Sequence, residues 1–87
     1  MRIKRHKKFL KDFRDTKLSD SQFEKFIAYI HALQTNTSLP PESKNHTLKG
    51  NYQDCEEFHL GGHMLIIYLK NEDEIILMRI GTHSQLF

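Results

Sequence analysis

Six histidines stand out in this chain of 87 residues, because imidazole is the side chain that most readily exchanges protons near neutral pH. Two lie in the N-terminal half and four in the C-terminal half: His6, His31, His46, His59, His63 and His83. A pair of imidazoles can act as general base and general acid, which is what attack by a ribose 2′-hydroxyl on its neighbouring phosphate requires. The residue types therefore favour acid–base chemistry on a phosphodiester.

Two other residues suit the same reaction. Arg79 carries planar N–H donors that match phosphate oxygens and stabilise the charge that develops on them in the transition state. Phe87 can stack on an unpaired base, a usual way of holding single-stranded RNA. The alternative is that the histidines are ordinary surface residues and that Phe87 fills the core or frays.

A metal site and a nucleophilic cysteine fit the sequence less well. Three imidazoles could bind zinc, but no cysteine or carboxylate stands at a convincing ligand spacing. Cys55 is the only cysteine, so the chain can form neither an intrachain disulfide nor a four-cysteine zinc site. Its acidic neighbours Asp54, Glu56 and Glu57 disfavour a thiolate. We therefore expect no metal and no cofactor.

The charge is concentrated at the N-terminus. Residues 1–17 hold eight basic and two acidic side chains, a net charge of +6, whereas residues 18–87 have a net charge of −4. A concentrated basic segment predicts a polyanionic partner such as nucleic acid, because clustered Lys and Arg supply most phosphate contacts. The alternative is a solvated face that only keeps the protein soluble.

The composition, 38% hydrophobic and 28% charged, is typical of a globular domain, and the length predicts one domain over residues 1–87. The longest apolar run covers six residues, from Met64 to Leu69, whereas a membrane span needs about 20. The basic N-terminus lacks the apolar region of a secretory signal. We expect a cytoplasmic protein that does not contact membranes.

The N-terminal half is predicted to be helical after a short segment around Ile3. Phe9, Leu10 and Phe13 mark one side of a first helix. A second helix begins at Ser19, where the serine can cap and Gln22 can reach back to it. Its apolar stripe is expected to belong to the core: Phe23, Phe26, Ile27, Ile30 and Leu33. Pro40 and Pro41 prevent this helix from continuing further.

The C-terminal half is predicted to form three antiparallel strands. Residues 52–60 form the first, Gly61 and Gly62 the tight turn, and Met64 to Leu69 the second. After a polar turn, residues 74–80 form the third. The fold class is therefore α+β, with two helices packed on one face of a small sheet.

Such a meander brings the end of the first strand, the start of the second and the end of the third to one edge of the sheet. His59, His63 and His83 occupy these positions, and Arg79 lies nearby. His46 precedes the meander in a polar loop, and His31 is expected to face solvent on its helix. The topology alone therefore predicts a cluster of three histidines at one rim.

The motifs H-T-L-K-G at residues 46–50 and R-I-G-T-H-S-Q-L-F at 79–87, with His59 and residues 65–68 between them, resemble the RelE/ParE toxin superfamily. More narrowly, the chain resembles the YafQ-type mRNA interferases, strongly over residues 39–87 and in layout only before them. The resemblance implies a β-α-α-β-β-β RelE-like fold with a mainly antiparallel sheet, in which the segment around Ile3 is an edge strand.

The resemblance also implies the toxin of a type II toxin–antitoxin pair. Such a toxin enters the ribosomal A site and cuts translated mRNA by acid–base-assisted attack of the 2′-hydroxyl. Its partners would be a cognate antitoxin, covering the basic, histidine-lined rim, and the ribosome with its mRNA and rRNA, with no small-molecule ligand. The family's catalytic positions fall on His46, His59, Arg79, His83 and Phe87. His83 is expected to be the acid and either His46 or His59 the base.

The basic segment would then bind RNA. The residues expected to contact RNA are five from this segment together with Lys49: Lys4, Arg5, Lys7, Lys8, Lys11 and Lys49. The match departs from the family where YafQ-type toxins have an acidic residue followed by tryptophan, since this chain has His63 and Met64 there. His63 is thus a possible additional catalytic residue. Two alternatives stay open from the sequence: a ParE-like inhibitor of DNA gyrase, and a non-catalytic RNA-binding module.

Overall fold

The computed structural model describes all 87 residues. The secondary structure runs in the order β1 (Arg2–Arg5), α1 (Lys7–Asp15), α2 (Asp20–Gln34), β2 (His46–Thr47), β3 (Glu56–Gly61), β4 (Met64–Lys70), β5 (Glu74–Thr82) and α3 (His83–Leu86). Short 3₁₀ turns at Pro41–Ser43 and Gly50–Tyr52 flank β2. The five strands form one sheet in the order β1-β5-β4-β3-β2.

The strand pairing confirms the predicted α+β fold. The meander β3-β4-β5 is antiparallel throughout, and β1 is an edge strand that pairs in parallel with β5. Two parallel strands need a long crossover connection, and between β1 and β5 this connection consists of α1, α2 and the intervening strands. The structure adds two elements that were not predicted from the sequence, the two-residue strand β2 and the one-turn helix α3.

Both helices cover the same face of the sheet, where ten buried residues form the main core: Phe9, Tyr29, Leu33, Phe58, Leu60, Ile66, Tyr68, Ile75, Leu77 and Ile80. The predicted start of α2 is confirmed, since Ser19 Oγ accepts from Gln22 N at 3.1 Å and Gln22 Oε1 accepts from Ser19 N at 2.9 Å. This capping box satisfies two backbone donors that the first turn of a helix would otherwise leave unpaired.

The predicted core stripe of α2 is correct only in part. Leu33 is buried and two of the other positions are half-buried, but Phe23 and Ile27 are 49% and 53% exposed. Tyr29 is buried instead, with its ring edge-on to Phe58 at a centroid distance of 5.6 Å. The apolar side of α2 is wider than the part of the sheet on which the helix packs. Some of its apolar residues therefore line a groove between α1 and α2.

Two predicted boundaries in the meander are also wrong. The first strand begins at Glu56 rather than at residue 52, because Gly50–Tyr52 forms a 3₁₀ turn and Cys55 N donates to Tyr52 O at 2.9 Å. The hairpin turn consists of Gly62 and His63, since Gly61 still pairs with Met64. Both turn residues have positive φ, 59° and 67°, as the tight turns that match strand twist require.

Candidate active site

The backbone register places four residues side by side across the face of the sheet that the helices do not cover. They are His46, Glu57, Ile67 and Arg79, on four successive strands from β2 to β5. Alternation along each strand puts them opposite the main core, which takes Phe58 and Ile80 from the neighbouring positions. This polar row brings a histidine and an arginine that are far apart in sequence onto one surface.

The His46 end of the row is a group of two histidines around a buried carboxylate. Glu57 is 3% exposed, and one of its carboxylate oxygens is in a short contact with His59 Nε2. The other oxygen lies 3.8 Å from His46 Nε2, and the two imidazole rings stack with their centroids 6.4 Å apart. A buried carboxylate is costly unless it is paired, so Glu57 and the two histidines hold one another in place.

The hydrogen bonds also assign the tautomers of these two rings. His46 Nδ1 lies 2.7 Å from the carbonyl oxygen of Lys44, which can only accept, so Nδ1 carries the proton. In its neutral form His46 thus carries the free lone pair on Nε2, and this ring is largely exposed. His59 is the reverse case, because its Nε2 donates to Glu57 and its Nδ1 is left free.

Arg79, at the other end of the row, is anchored by Asp12 of α1. Asp12 Oδ2 accepts from Arg79 Nε at 2.6 Å, and Oδ1 accepts from Nη2 at 3.1 Å. Oδ2 also accepts from the backbone N–H of Ile80 at 3.2 Å. Ile80 comes after Leu77, which is the last residue of β5 that pairs with β1. The bidentate bond to Asp12 raises the pKa of the Arg79 guanidinium, so this group keeps its charge.

Aromatic residues complete the Arg79 end. Tyr52 Oη accepts from Arg79 Nη1 at 3.4 Å and donates to the carbonyl oxygen of Leu86 at 3.1 Å. The Tyr52 ring lies edge-on to Phe87 at a centroid distance of 5.3 Å, and Phe87 stacks on His83 at 4.7 Å. The chain end is thus packed beside the arginine, and His83 and Phe87 both remain exposed.

The placement of His83 depends on a close approach between α3 and β5. Thr82 and Gln85 form a second capping box that starts α3 directly after the strand. Gly81 is buried, and a Cβ there would come within 3.0 Å of Gln85 Oε1 and 3.3 Å of Leu86. Glycine at position 81 therefore lets the helix fold back onto the sheet, which explains physically the order Gly-Thr-His in the C-terminal motif.

The predicted site residues fall into two groups rather than one. His46 and His59 form the group around Glu57, and His83 and Phe87 form the group around Arg79. No hydrogen bond or ring contact joins the two groups, and β4 lies between them. His63 is exposed in the β3–β4 turn, where its carbonyl oxygen accepts from His83 N at 3.2 Å. It therefore lies at the predicted edge, although in the turn and not at the start of a strand.

The basic residues expected to contact RNA are all exposed: Lys4, Arg5, Lys7, Lys8, Lys11 and Lys49. Their surroundings differ. Lys8 and Lys11 line two clefts that both contain Arg79. Arg5 lines the apolar groove between the helices, and Lys4 Nζ is paired with Glu74 at 3.3 Å. Lys8 and Lys11 are therefore the members of the set that lie beside the candidate site.

Three residues that support the site were not singled out by sequence reasoning: Asp12, Tyr52 and Glu57. Alternate residues of a strand share a face, so the position of His59 in β3 indicates Glu57, two residues earlier, as its neighbour. No local signal indicates Asp12, because its partner Arg79 is 67 residues away in sequence. In the sequence, Asp12 is only one of two negative charges within a basic segment.

Neither a reactive thiol nor a metal cluster is present beside these groups. Cys55 is buried, and burial followed by the charge of Asp54 raises the pKa of its thiol, which disfavours a nucleophilic role. The structure contains no group of three or more His, Cys, Asp or Glu side chains that could hold a metal ion. None of its helices has both the length and the apolar character needed to span a bilayer.

Comparison with known proteins matches the whole chain to one family. The model of the family described as the bacterial toxin of type II toxin–antitoxin system, YafQ, matches residues 1–87. A protein of Haemophilus influenzae named as a putative toxin YafQ is 29% identical to this chain, over 98% of this chain and 90% of its own length.

Solved structures agree with the family match. The crystal structure of YafQ from E. coli is 25% identical, with a TM-score of 0.86 over 100% of this chain and 99% of that one. The E. coli DinJ–YafQ complex contains a chain with a TM-score of 0.83, 25% identity and the same coverage. From its matched residues and its fold, this chain belongs to the YafQ family of toxins of type II toxin–antitoxin systems.

Proposed function

We propose that the protein is a ribosome-dependent endoribonuclease that cuts translated mRNA in the ribosomal A site and acts in the cytoplasm. The observation that carries the proposal is the polar row, with an imidazole held through Nδ1 by a backbone carbonyl at one end and an anchored guanidinium at the other. In-line attack places the general base and the general acid on opposite sides of the phosphorus atom. His46 and His59 on one side of β4 and His83 on the other suit that requirement better than a single cluster.

In the proposed reaction, His46 Nε2 takes the proton of the 2′-hydroxyl, and the 2′-oxygen forms a bond to phosphorus. Glu57, 3.8 Å from that nitrogen, stabilises the imidazolium that results. The bond from phosphorus to the 5′-oxygen breaks, and His83 donates a proton to this leaving oxygen. The products are a 2′,3′-cyclic phosphate and a 5′-hydroxyl.

Other groups bind and orient the RNA. Arg79 Nη1 faces only Tyr52 Oη, at 3.4 Å, so it is available to a phosphate oxygen that becomes more negative in the transition state. Phe87 would stack on a base beside the cut, and its partner His83 would be held beside the leaving oxygen. His59 holds Glu57 in place and its Nδ1 takes part in no hydrogen bond, which makes it the second candidate for the base.

The direct test is mRNA cleavage in a reconstituted translation system, with cut sites mapped for the wild type and for His83→Ala. We expect cuts positioned at codons, present only with ribosomes, and a rate that falls about 100- to 10,000-fold in the variant, the usual contribution of a general acid. His31→Ala is the matched control, because His31 is an exposed histidine on α2 outside the site. Intact mRNA with the wild type would contradict the proposal, and cutting of naked transcript would contradict ribosome dependence.

The same pair of variants separates the two alternatives. A gyrase inhibitor would cause gyrase-dependent DNA damage in expressing cells and leave mRNA intact. If the protein were a non-catalytic RNA-binding module, the wild type and His83→Ala would inhibit growth equally. The exposed histidine beside Phe87 and the tautomer of His46 favour the nuclease over both.

We further propose that a cognate antitoxin is the protein partner, as in the solved DinJ–YafQ complexes of E. coli. A groove of 450 Å³ between β1, α1 and α2 supports this, because it is lined mainly by apolar side chains and has no cover in the isolated chain. Phe13 is 39% exposed and Ile27 53% exposed at this groove. Exposed apolar surface of this kind is typical of protein–protein interfaces, so the groove and not the histidine rim is the proposed docking surface.

A further inference from the structure

A polar pocket of 350 Å³ lies beside His59, between α2 and the β3–β4 turn. No apolar residue lines it, and its charged or titratable lining consists of Lys25, Glu42, Lys44, His59 and His63. It shares His59 with the candidate active site but contains two lysines that no part of the proposed reaction uses. We refer to it as the lysine pocket.

We propose that the lysine pocket binds an RNA phosphate that flanks the one being cleaved, with Lys25 and Lys44 as its cationic ligands. This inference rests on the proposed nuclease function and extends it by a binding subsite. The volume lies within the range of about 300 to 1,000 Å³ that is usual for ligand pockets. No hydrophobic residue lines the pocket, and its two lysines favour an anionic group over a base as the occupant.

Lys25 is held in position by the packing of α2 against the turn. A Cβ at Gly61 would lie 3.5 Å from Lys25 Nζ, so the ammonium group rests against the backbone of the turn. Gln22 Nε2, almost one helical turn earlier, donates to the carbonyl oxygen of Gly61 at 2.9 Å and ties the helix to the hairpin. Lys25 is half-buried and takes part in none of the ion pairs of the structure.

Lys44 lines the pocket from the segment between the 3₁₀ turn Pro41–Ser43 and β2. Its backbone is in the left-handed region, with φ of 50°, and its carbonyl oxygen accepts from His46 Nδ1 at 2.7 Å. This contact to the ring proposed as the general base is made by the backbone of Lys44 and not by its side chain. Glu42 is the one carboxylate of the lining, but it is exposed and pairs with neither lysine. Two ammonium groups without carboxylate partners leave the pocket cationic, which favours an anion.

The location of the pocket suits the path that RNA must take. An RNA strand whose cleaved phosphate lies between His46 and His83 carries further phosphates on either side of it, and one side leads past His59. Gly61 and Gly62 line the pocket at this point and have no side chain that would fill it. Contacts of lysine with phosphate add affinity without dependence on base sequence.

The first test uses the free protein and inorganic phosphate as the probe, followed by amide chemical shifts in NMR spectra. We expect saturable shifts at Gly61, Gly62 and His59 in the wild type, and their disappearance when Lys25→Gln and Lys44→Gln are combined. Lys70→Gln is the matched control, since it removes the same charge at the far end of β4. Lysine-to-arginine variants should keep the shifts. Absent shifts, or equal shifts in the double variant, would overturn the proposal.

The second test measures ribosome binding and cleavage as a function of salt. Removal of the two lysines should raise KM with kcat nearly unchanged, since a flanking phosphate is bound equally in the ground state and the transition state. The slope of log affinity against log salt should fall by about 1 for each phosphate that the variant no longer neutralises. A lower slope only on programmed ribosomes would support the flanking mRNA phosphate, whereas an equally lower slope on empty ribosomes would place the contact on rRNA and overturn the proposal.

The two tests also separate this proposal from the nuclease function. Wild-type cleavage with no phosphate shifts at the turn would reject the lysine pocket and leave the function standing. Phosphate shifts at the turn with no cleavage by the wild type would reject the nuclease function, and the anion site would remain. Unchanged KM and salt slope in the double variant would reject the subsite even if the free protein binds phosphate.

Discussion

The two faces of the sheet use the same strands for different purposes. The face covered by α1 and α2 forms with these helices a core of ten buried residues, whereas the cluster at the open face has only four: Cys55, Leu65, Ile67 and Leu86. Beside that smaller cluster the open face holds Glu57, Arg79 and the histidines. Because side chains alternate along a strand, each strand contributes to folding with one set of residues and to the site with the next.

The difference shows how a chain of 87 residues can hold charged groups at defined positions. The main core supplies most of the apolar burial, so the open face need not be apolar. On that face the polar groups are held by pairing: Glu57 with two histidines, and Arg79 with Asp12. Pairing of this kind restricts side-chain orientation more than it stabilises the fold.

The largest expected effect is on the helix-covered face. Phe58→Ala removes a ring that is fully buried between Tyr29 and Tyr68, with centroid distances of 5.6 and 5.7 Å. We expect the free energy of unfolding to fall by about 3 to 5 kcal/mol, because lost transfer energy and a cavity add together. Urea denaturation of the wild type and the variant would measure it.

Leu69→Ala is the control for that experiment, since Leu69 is half-buried against the open-face cluster. Its destabilising effect should be clearly smaller than that of Phe58→Ala. Similar effects for the two variants would mean that the two faces contribute equally to stability, and the contrast between them would not hold.

The next effect concerns the anchoring of Arg79 on the open face. Asp12→Asn keeps the size of the side chain but removes one of the two carboxylate oxygens that fix the guanidinium. We expect the cleavage rate to fall on the order of 100-fold through misplacement of Arg79. Ribosome affinity should be unchanged or higher, since the site loses a negative charge. Single-turnover cleavage and ribosome binding would measure the two quantities separately.

Asp15→Asn is a suitable control for Asp12→Asn, because Asp15 is an exposed carboxylate in the last turn of the same helix. Equal decreases of rate and of affinity in Asp12→Asn would show that Asp12 supports binding in general. In that case it would not be a positioning residue for Arg79.

The smallest of the three effects concerns the groove on the helix side. Ile27→Glu places a charge on an exposed apolar position of the proposed antitoxin surface, and we expect antitoxin affinity to fall by about 2 kcal/mol or more, as at a binding hot spot. Cleavage should be unaffected. Ala28→Glu is the control, since Ala28 is exposed on the same helix outside the groove. Titration of toxin activity with the cognate antitoxin would measure the difference.

The opposite result for Ile27→Glu would be equally informative. Full neutralisation of this variant by the antitoxin would return the interface to the histidine rim, which is the surface expected from the sequence. The open face would then serve both catalysis and inhibition, and the helix-side groove would be left without a partner.

Much of the fold could be predicted because its signals are local. The serine and glutamine that start α2, the prolines after it and the apolar run of β4 act within a few residues of one another. The misplaced turn shows the limit of such signals. Gly61 and Gly62 are both suited to a tight turn, and the pairing of Gly61 with Met64 decided that Gly62 and His63 form it.

The burial of α2 could not be predicted with the same success. Its sequence has more apolar positions than one face can bury, and the choice of Tyr29 over Phe23 and Ile27 depends on where the helix meets Phe58. Apolar periodicity reports which side of a helix faces inward, but the width of the contact is set by the partner element.

The two helices, the antiparallel meander and the residues able to exchange protons could all be predicted from short segments, because periodicity, caps and side-chain chemistry are local properties. Which of those residues share a surface depends on the folded chain. Folding divides the histidines between Glu57 and Arg79, and it brings Asp12 to an arginine 67 residues away. Such pairings depend on strand register and helix packing, which are settled only when the whole chain folds.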